Sequence, residues 1–208
     1  HSFPTRRSSD LPEPETYDEL LLFRLDTGKL KEVREIWYTA RKNKSAVTPT
    51  QCWVYIEMQK RAKGEKAVQT AKEHLRRSGV KLSADTYARL IRSAESTRQA
   101  WAEYRELVQA EVEPNIAVYN ALLSVHMMRI SQASVVVRCI QRAGLKANDE
   151  TWVVLMRLRG KQRDIAGVHD AFQRIQTRTK TNQIEYVHAL CDADAIVAAM
   201  WEYHALKR

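Results

Sequence analysis

The chain has 208 residues, 44% of them hydrophobic, and a formal charge of +9 at neutral pH. That is ample for a packed core, the excess of positive charge admits a polyanionic partner, and the long uncharged run that contains Asn115 to Met128 is too short and too polar for a membrane span. Cys52, Cys139 and Cys191 form no CxxC pair, which argues against a disulfide framework, while few glycines and prolines among Ala, Glu, Lys, Leu and Arg favour helix over sheet.

In chain order, residues 1–11, HSFPTRRSSDL, carry no apolar period and resemble one translated frame of a sequencing adapter. They are expected to be non-native and disordered, so His1 to Leu11 are set aside. The rest keeps a net charge of about +8 from the same residue counts. The native N-terminus with any targeting peptide is expected to be missing. The helical pattern that stops at Lys207-Arg208 without a cap suggests the same of the C-terminus.

The first predicted unit, near 14–48, follows Pro12 and places Tyr17, Leu20 and Leu21 on one helical face. Gly28 ends that helix, and a second amphipathic segment carries Val33, Ile36 and Trp37. The second unit, near 49–82, begins at Pro49 with Trp53 and Ile56, where Glu57 alone breaks the apolar stripe. Gly64 then precedes Val68, Ala71 and Leu75, and Gly79 closes the pair. The third, near 83–114, has Tyr87, Leu90 and Ile91, then Ala100, Tyr104 and Leu107. The fourth, near 115–147, follows Pro114 with Tyr119, Leu122 and Leu123, then Ala133, Val137, Ile140 and Gly144. The fifth, near 148–181, has Trp152, Leu155 and Met156, then Val168, Phe172 and Ile175. The sixth, near 182–208, has Tyr186, Ala189 and Leu190. Met127-Met128 and the tryptophans at helical spacing read as packing.

The six leading rings are spaced 36, 34, 32, 33 and 34 residues apart. Two turns are close copies, GVKLSADTYARLI from Gly79 and GLKANDETWVVLM from Gly144. A helix-turn-helix recurring at that period cannot bury its stripe alone, so neighbours must bury it for one another. The expected fold is all-α, a solenoid of five and a half to six repeats in a single domain spanning 12–208. No alternating strand pattern occurs.

None of the six units carries the Leu-Gly of a tetratricopeptide first helix. The turn Gly-apolar-Lys-x-x-x-x-Thr-aromatic and the boundary Val112-Glu113-Pro114-Asn115-Ile116-Ala117-Val118-Tyr119-Asn120-Ala121-Leu122-Leu123 instead resemble the pentatricopeptide repeat consensus. The resemblance implies a right-handed superhelix whose first helices line a groove for single-stranded RNA, with one repeat facing one base. It also implies an organellar location, mitochondrion or plastid. Base contact would come from the residue after the first-helix ring together with the residue four before the next ring. Side-chain amides suit that task because they both donate and accept.

Carried onto this sequence, the pattern pairs Asp18 with Pro49, Val54 with Ser83, Ala88 with Asn115, Asn120 with Asn148, and Val153 with Asn182; Val187 has no visible partner. Only Asn120 with Asn148 is an amide pair, so these two are the leading base-reading candidates, with Ser83, Asn115 and Asn182 behind them. Asn120 and Asn148 read equally as a helix residue and a turn residue making local backbone bonds. Lys161 matches a phosphate-facing lysine of the family. The residue two before the ring is acidic at Glu15, Asp85 and Glu150, which opposes phosphate and base stacking. The cationic runs Arg41-Lys42-Asn43-Lys44, Lys60-Arg61-Ala62-Lys63 and Arg157 to Arg163 suit either solvated helix ends or a basic ridge.

Glu185 and His188 form an isolated ExxH, and His188 with Cys191 is half of a zinc site, so neither is assigned a metal. No glycine-rich loop, HExxH or nucleophile elbow occurs. The expectation is a non-catalytic RNA-binding repeat protein of organellar RNA processing, stability or translation, without cofactor, membrane contact or small-molecule substrate. The alternative is a protein-binding scaffold, such as a structural subunit of an organellar ribonucleoprotein.

Overall fold

The computed structural model describes residues 14–42, 47–125 and 130–207. The adapter-like segment, Pro12, Asn43, Lys44, Met127 and Met128 lie outside the described residues. Among those described the chain is all-α, with twelve helices and no strand. They are α1 (Pro14–Asp26), α2 (Leu30–Lys42), α3 (Pro49–Lys63), α4 (Lys66–Arg77), α5 (Ala84–Arg92) and α6 (Thr97–Gln109). The series continues with α7 (Ile116–Ser124), α8 (Ile130–Arg142), α9 (Asp149–Gly160), α10 (Ile165–Gln173), α11 (Lys180–Asp192) and α12 (Ile196–Leu206).

The helices fall into two compact units, one ending at Thr86 and the other beginning at Tyr87. In the first, α1 packs on α2 and α3, α2 on α3, and α3 on α4. In the second, α6 packs on α7, α7 on α8 and α9, and α8 on α9. There α9 in turn packs on α10 and α11, α10 on α11, and α11 on α12. Each unit is therefore a stack in which a first helix touches its own partner and the next first helix.

The apolar stripes supply the cohesion. Leu21, Val33, Leu75, Ile91, Leu107, Leu123, Met156 and Leu190 are all buried, each contributing about 1.5–3 kcal/mol relative to exposure. Tyr17, Tyr87, Tyr119 and Tyr186 are buried, whereas Trp53 and Trp152 are half-buried. Leu20 departs from its stripe and is exposed beside Phe23. Rings of second helices reach the following first helix: Trp37 stacks on Tyr55 at 4.4 Å, and Phe172 stacks on Tyr186 at 3.9 Å. Tyr104 lies tilted against Tyr119 at 6.1 Å.

Glu57, the polar exception, has a purpose. Its carboxylate accepts from Arg61 Nε at 2.9 Å, and the same guanidinium donates to the Leu25 carbonyl at 2.7 Å, satisfying the last turn of α1.

Several turns share one geometry. Gly79 N donates to the Arg76 carbonyl while Val80 N reaches back to that of Leu75, the paired bonds of a left-handed helix stop. Glu111 and Val112 make the same two bonds to Val108 and Leu107, and Arg163 and Asp164 make them to Gly160 and Arg159. Glu111 (φ 55°) and Arg163 (φ 60°) adopt left-handed backbone without being glycine. At Gly160 the constraint is space, because an added Cβ would lie 2.5 Å from the Ala189 carbonyl oxygen. That small contact is what allows α9 and α11 to approach closely.

Candidate nucleic-acid interface

The first helices begin at side-chain caps. Thr48 caps α3, with Pro49 in its first turn, Asn115 caps α7, and Asn148 caps α9. In each case the side-chain oxygen accepts from the backbone N–H three residues on, satisfying a donor the helix leaves open. Ser83 makes a longer bond of the same kind to Thr86 N at 3.3 Å. The sequence positions assigned to base contact at Ser83, Asn115 and Asn148 are thus also cap positions.

The structure brings Asn120 and Asn148 together. Asn120 Nδ2 donates to Asn148 Oδ1 at 3.1 Å and to Glu150 Oε2 at 3.0 Å. Its Oδ1 accepts from Thr151 Oγ1 at 2.7 Å, inside the core. The Asn120 side chain is fully buried with both polar ends engaged, while Asn148 is exposed. Asn148 Oδ1 accepts from Asn120 Nδ2 and Thr151 N, and it lies 2.8 Å from Thr151 Oγ1, whose one proton serves either Asn148 Oδ1 or Asn120 Oδ1. Its Nδ2 takes no part in that network, and the residue is exposed. Glu150 is held from the other side by Arg92 Nη2 at 2.8 Å. Residues of α5, α7 and α9 thereby share one polar cluster.

An analogous clasp lies in the first unit. Thr48 Oγ1 bonds the Asp18 carboxylate at 2.8 Å, and Gln51 Nε2 donates to Asp18 Oδ1 at 2.8 Å. The side chain that meets Asp18 is Thr48 rather than Pro49. In both units the residue after a first-helix ring locks onto the cap of the next first helix.

Other candidates lie elsewhere. Val54, Ala88 and Val187 are buried and offer no polar edge. Asn182 sits in the first turn of α11, donates to the Thr177 carbonyl, and is not that helix's cap, which is Thr179. Lys161 is the exposed C-cap of α9. Glu15 and Asp85 are exposed like Glu150.

The run from Arg157 to Arg163 is mostly neutralised. Arg157 grips Glu185, Arg159 pairs with Asp164, and Arg163 pairs with Asp194. The Arg157 guanidinium holds the Glu185 carboxyl below its ordinary range, which places the ExxH glutamate in an ion pair. No group of three or more His, Cys, Asp or Glu could hold a metal among the described residues, and no described helix is long and apolar enough to cross a membrane.

No family model and no curated protein matches the sequence. Among solved structures the chain is similar to the pentatricopeptide repeat protein PPR10 in complex with an 18-nt psaJ RNA element. The TM-score is 0.68 at 22% identity, covering 95% of this chain and 30% of that one. The chain has the pentatricopeptide-type helical repeat fold. A cysteine-substituted PPR10 in the same complex gives the same values, and PPR10 from maize gives a TM-score of 0.55 at 22% identity over 94% of this chain. The chain spans about a third of the length of these pentatricopeptide structures.

Within this fold, sequence reasoning missed Thr151, Gln51 and Arg92, which complete the two clasps. The available signal was the capping pattern of an amide followed three residues later by a hydroxyl at Asn148 and Thr151.

Proposed function

We propose that this chain binds single-stranded RNA along its first helices, without catalysis, in organellar RNA processing, stability or translation. In this reading residues 12–208 act as one repeat domain, and the location is mitochondrial or plastid. The carrying observation is the likeness to PPR10, whose solved structure holds an RNA strand, in a chain of net charge +9. Support at the residue level comes from the Nδ2 of exposed Asn148, a donor able to meet a base acceptor, and from exposed Lys161. Asn115, Ser83 and Asn182 would contribute subordinate contacts. Asn120 would act mainly by holding Asn148 in place.

The test is a gel shift of the chain with random single-stranded RNA at rising salt. With about four phosphate contacts, affinity should fall on the order of tenfold or more between 50 and 200 mM salt. Asn148→Ser keeps an acceptor for Thr151 N but removes the amide, so it should weaken binding and leave the salt slope unchanged. Affinity that does not respond to salt defeats the reading.

A protein-binding scaffold is the second reading. It is favoured by the satisfied, buried amide of Asn120, by exposed Glu15, Asp85 and Glu150, and by the ion-paired arginines of α9. Absence of any RNA shift at low salt would select it.

A further inference from the structure

The first unit contains a cleft of about 470 Å³ walled by α2, α3 and α4, within the size range of small-ligand sites. Its floor is apolar, with Met58 and Ala71 buried. Tyr55 is fixed there, stacked on Trp37 and bonded through its hydroxyl to His74 Nδ1 at 3.2 Å. The rim carries Lys31, Arg34 and Lys63, and no acidic side chain lines the cleft. None of these three cations makes an ion pair among the described residues, in contrast to Arg157, Arg159 and Arg163. Arg34 instead lies over the ring of Tyr38, 5.8 Å from its centroid. Glu35 is the nearby acid, and it borders an adjoining hollow shared with Lys31, Arg34 and Tyr38.

Crevices between neighbouring helices are not in themselves sites. The second unit has one of about 300 Å³ beside α8 and α9, lined by Arg138 and Arg159, and Arg159 is neutralised by Asp164. The cleft in the first unit differs in its charge and its rings. Like charges around a low-dielectric concavity focus a positive potential into it and raise the local concentration of anions. Arg34 can grip a phosphate with its planar fork, which Lys31 and Lys63 reinforce as point charges. Tyr38, 47% exposed, and exposed His74, tilted against Tyr55 at 5.6 Å, bring two rings to the same opening. A ligand that satisfies both features carries an anion and a flat ring.

We propose that this cleft binds a nucleotide, with its phosphate on Lys31, Arg34 and Lys63 and its base against Tyr38 and His74. The recognising chemistry is the same for a free mononucleotide and for one residue of an RNA strand passing this side of the unit. None of these residues belongs to the base-reading set, so the inference stands apart from the groove reading.

The 208-residue chain is titrated calorimetrically with AMP, adenosine, inorganic phosphate and a short oligouridylate. AMP should bind more tightly than adenosine or phosphate. Arg34→Glu combined with Lys63→Glu should weaken AMP by about tenfold or more, since two charge-assisted contacts become repulsive. Tyr38→Ala should weaken AMP about fivefold while leaving phosphate unchanged. Asn148→Ser should not alter AMP binding, and any loss of RNA affinity in that variant reports on the groove alone. Weakened oligouridylate binding in the charge-reversed variant identifies an RNA strand as the source, and unchanged binding identifies a free nucleotide. AMP binding no tighter than phosphate reveals an adventitious ion only, and AMP affinity untouched by charge reversal removes the site. All the substituted side chains are exposed, so folding, checked by circular dichroism, should be retained.

Discussion

Replacing Asn120 with aspartate changes one atom type at the centre of the clasp. Where Nδ2 donated to Asn148 Oδ1 at 3.1 Å and Glu150 Oε2 at 3.0 Å, an oxygen would now face two acceptors. At about 3 Å and an effective dielectric near 20, two carboxylates repel by about 5 kcal/mol as an upper bound. Glu150 is 49% exposed and paired with Arg92, so solvent and the guanidinium cut this to roughly half. Adding the lost hydrogen bonds, about 1 kcal/mol each and not fully additive, gives a destabilisation of about 4 kcal/mol at pH 7. Asn120→Ala removes these two bonds and also the one from Thr151 Oγ1 to Asn120 Oδ1, without repulsion, and leaves the Thr151 hydroxyl free to donate to Asn148 Oδ1, 2.8 Å away. Its cost should be about 1–2 kcal/mol. Burial and Glu150 would raise the new carboxyl's folded pKa above its ordinary value near 4. The penalty is therefore absent below the unfolded pKa and grows as pH rises toward the folded one. Urea denaturation followed by circular dichroism at pH 7 and pH 4 reads both quantities. An aspartate variant no less stable than the alanine variant, or a gap that does not narrow in acid, refutes the assigned bonding.

Glu111→Gly should raise stability by about 1 kcal/mol in the same assay, because the side chain is exposed and its φ of 55° favours glycine; no gain would mean the turn is not left-handed. Gly160→Ala should cost about 1–3 kcal/mol, since its Cβ would meet the Ala189 carbonyl and push α9 from α11. Burial pushes the Cys52 thiol up to about 11, while Cys191 is exposed. At pH 8 a thiol reagent should therefore label Cys191 long before Cys52, with the order read by mass spectrometry of peptides.

The repeat was legible because rings and small turns recur at a fixed distance, and that distance follows from how many residues two packed helices need. Its punctuation was less so. Glycine stands eight residues before the ring at Gly79 and Gly144 and eleven after it at Gly28 and Gly64, but Glu111 and Arg163 occupy the same two places before Tyr119 and after Trp152. Backbone hydrogen bonds there outweigh local residue preference. The clasp at Asn120 was legible as a pair and not as a network. Its completion depends on Thr151, Glu150 and Arg92, which come from two further helices and leave no trace in local spacing. Likewise the arginines of α9 read as free charge until Glu185, Asp164 and Asp194 arrive beside them.

The bond between α7 and the start of α9 has a mechanical side. Asn148 is at once a fastener between successive hairpins and an exposed amide. Anything that recruits its oxygen must first unfasten that joint, so occupancy and the packing of α7 on α9 are tied together. A fastened joint and a loaded one would then compete, and pulling α7 and α9 apart should make the Asn148 oxygen easier to capture.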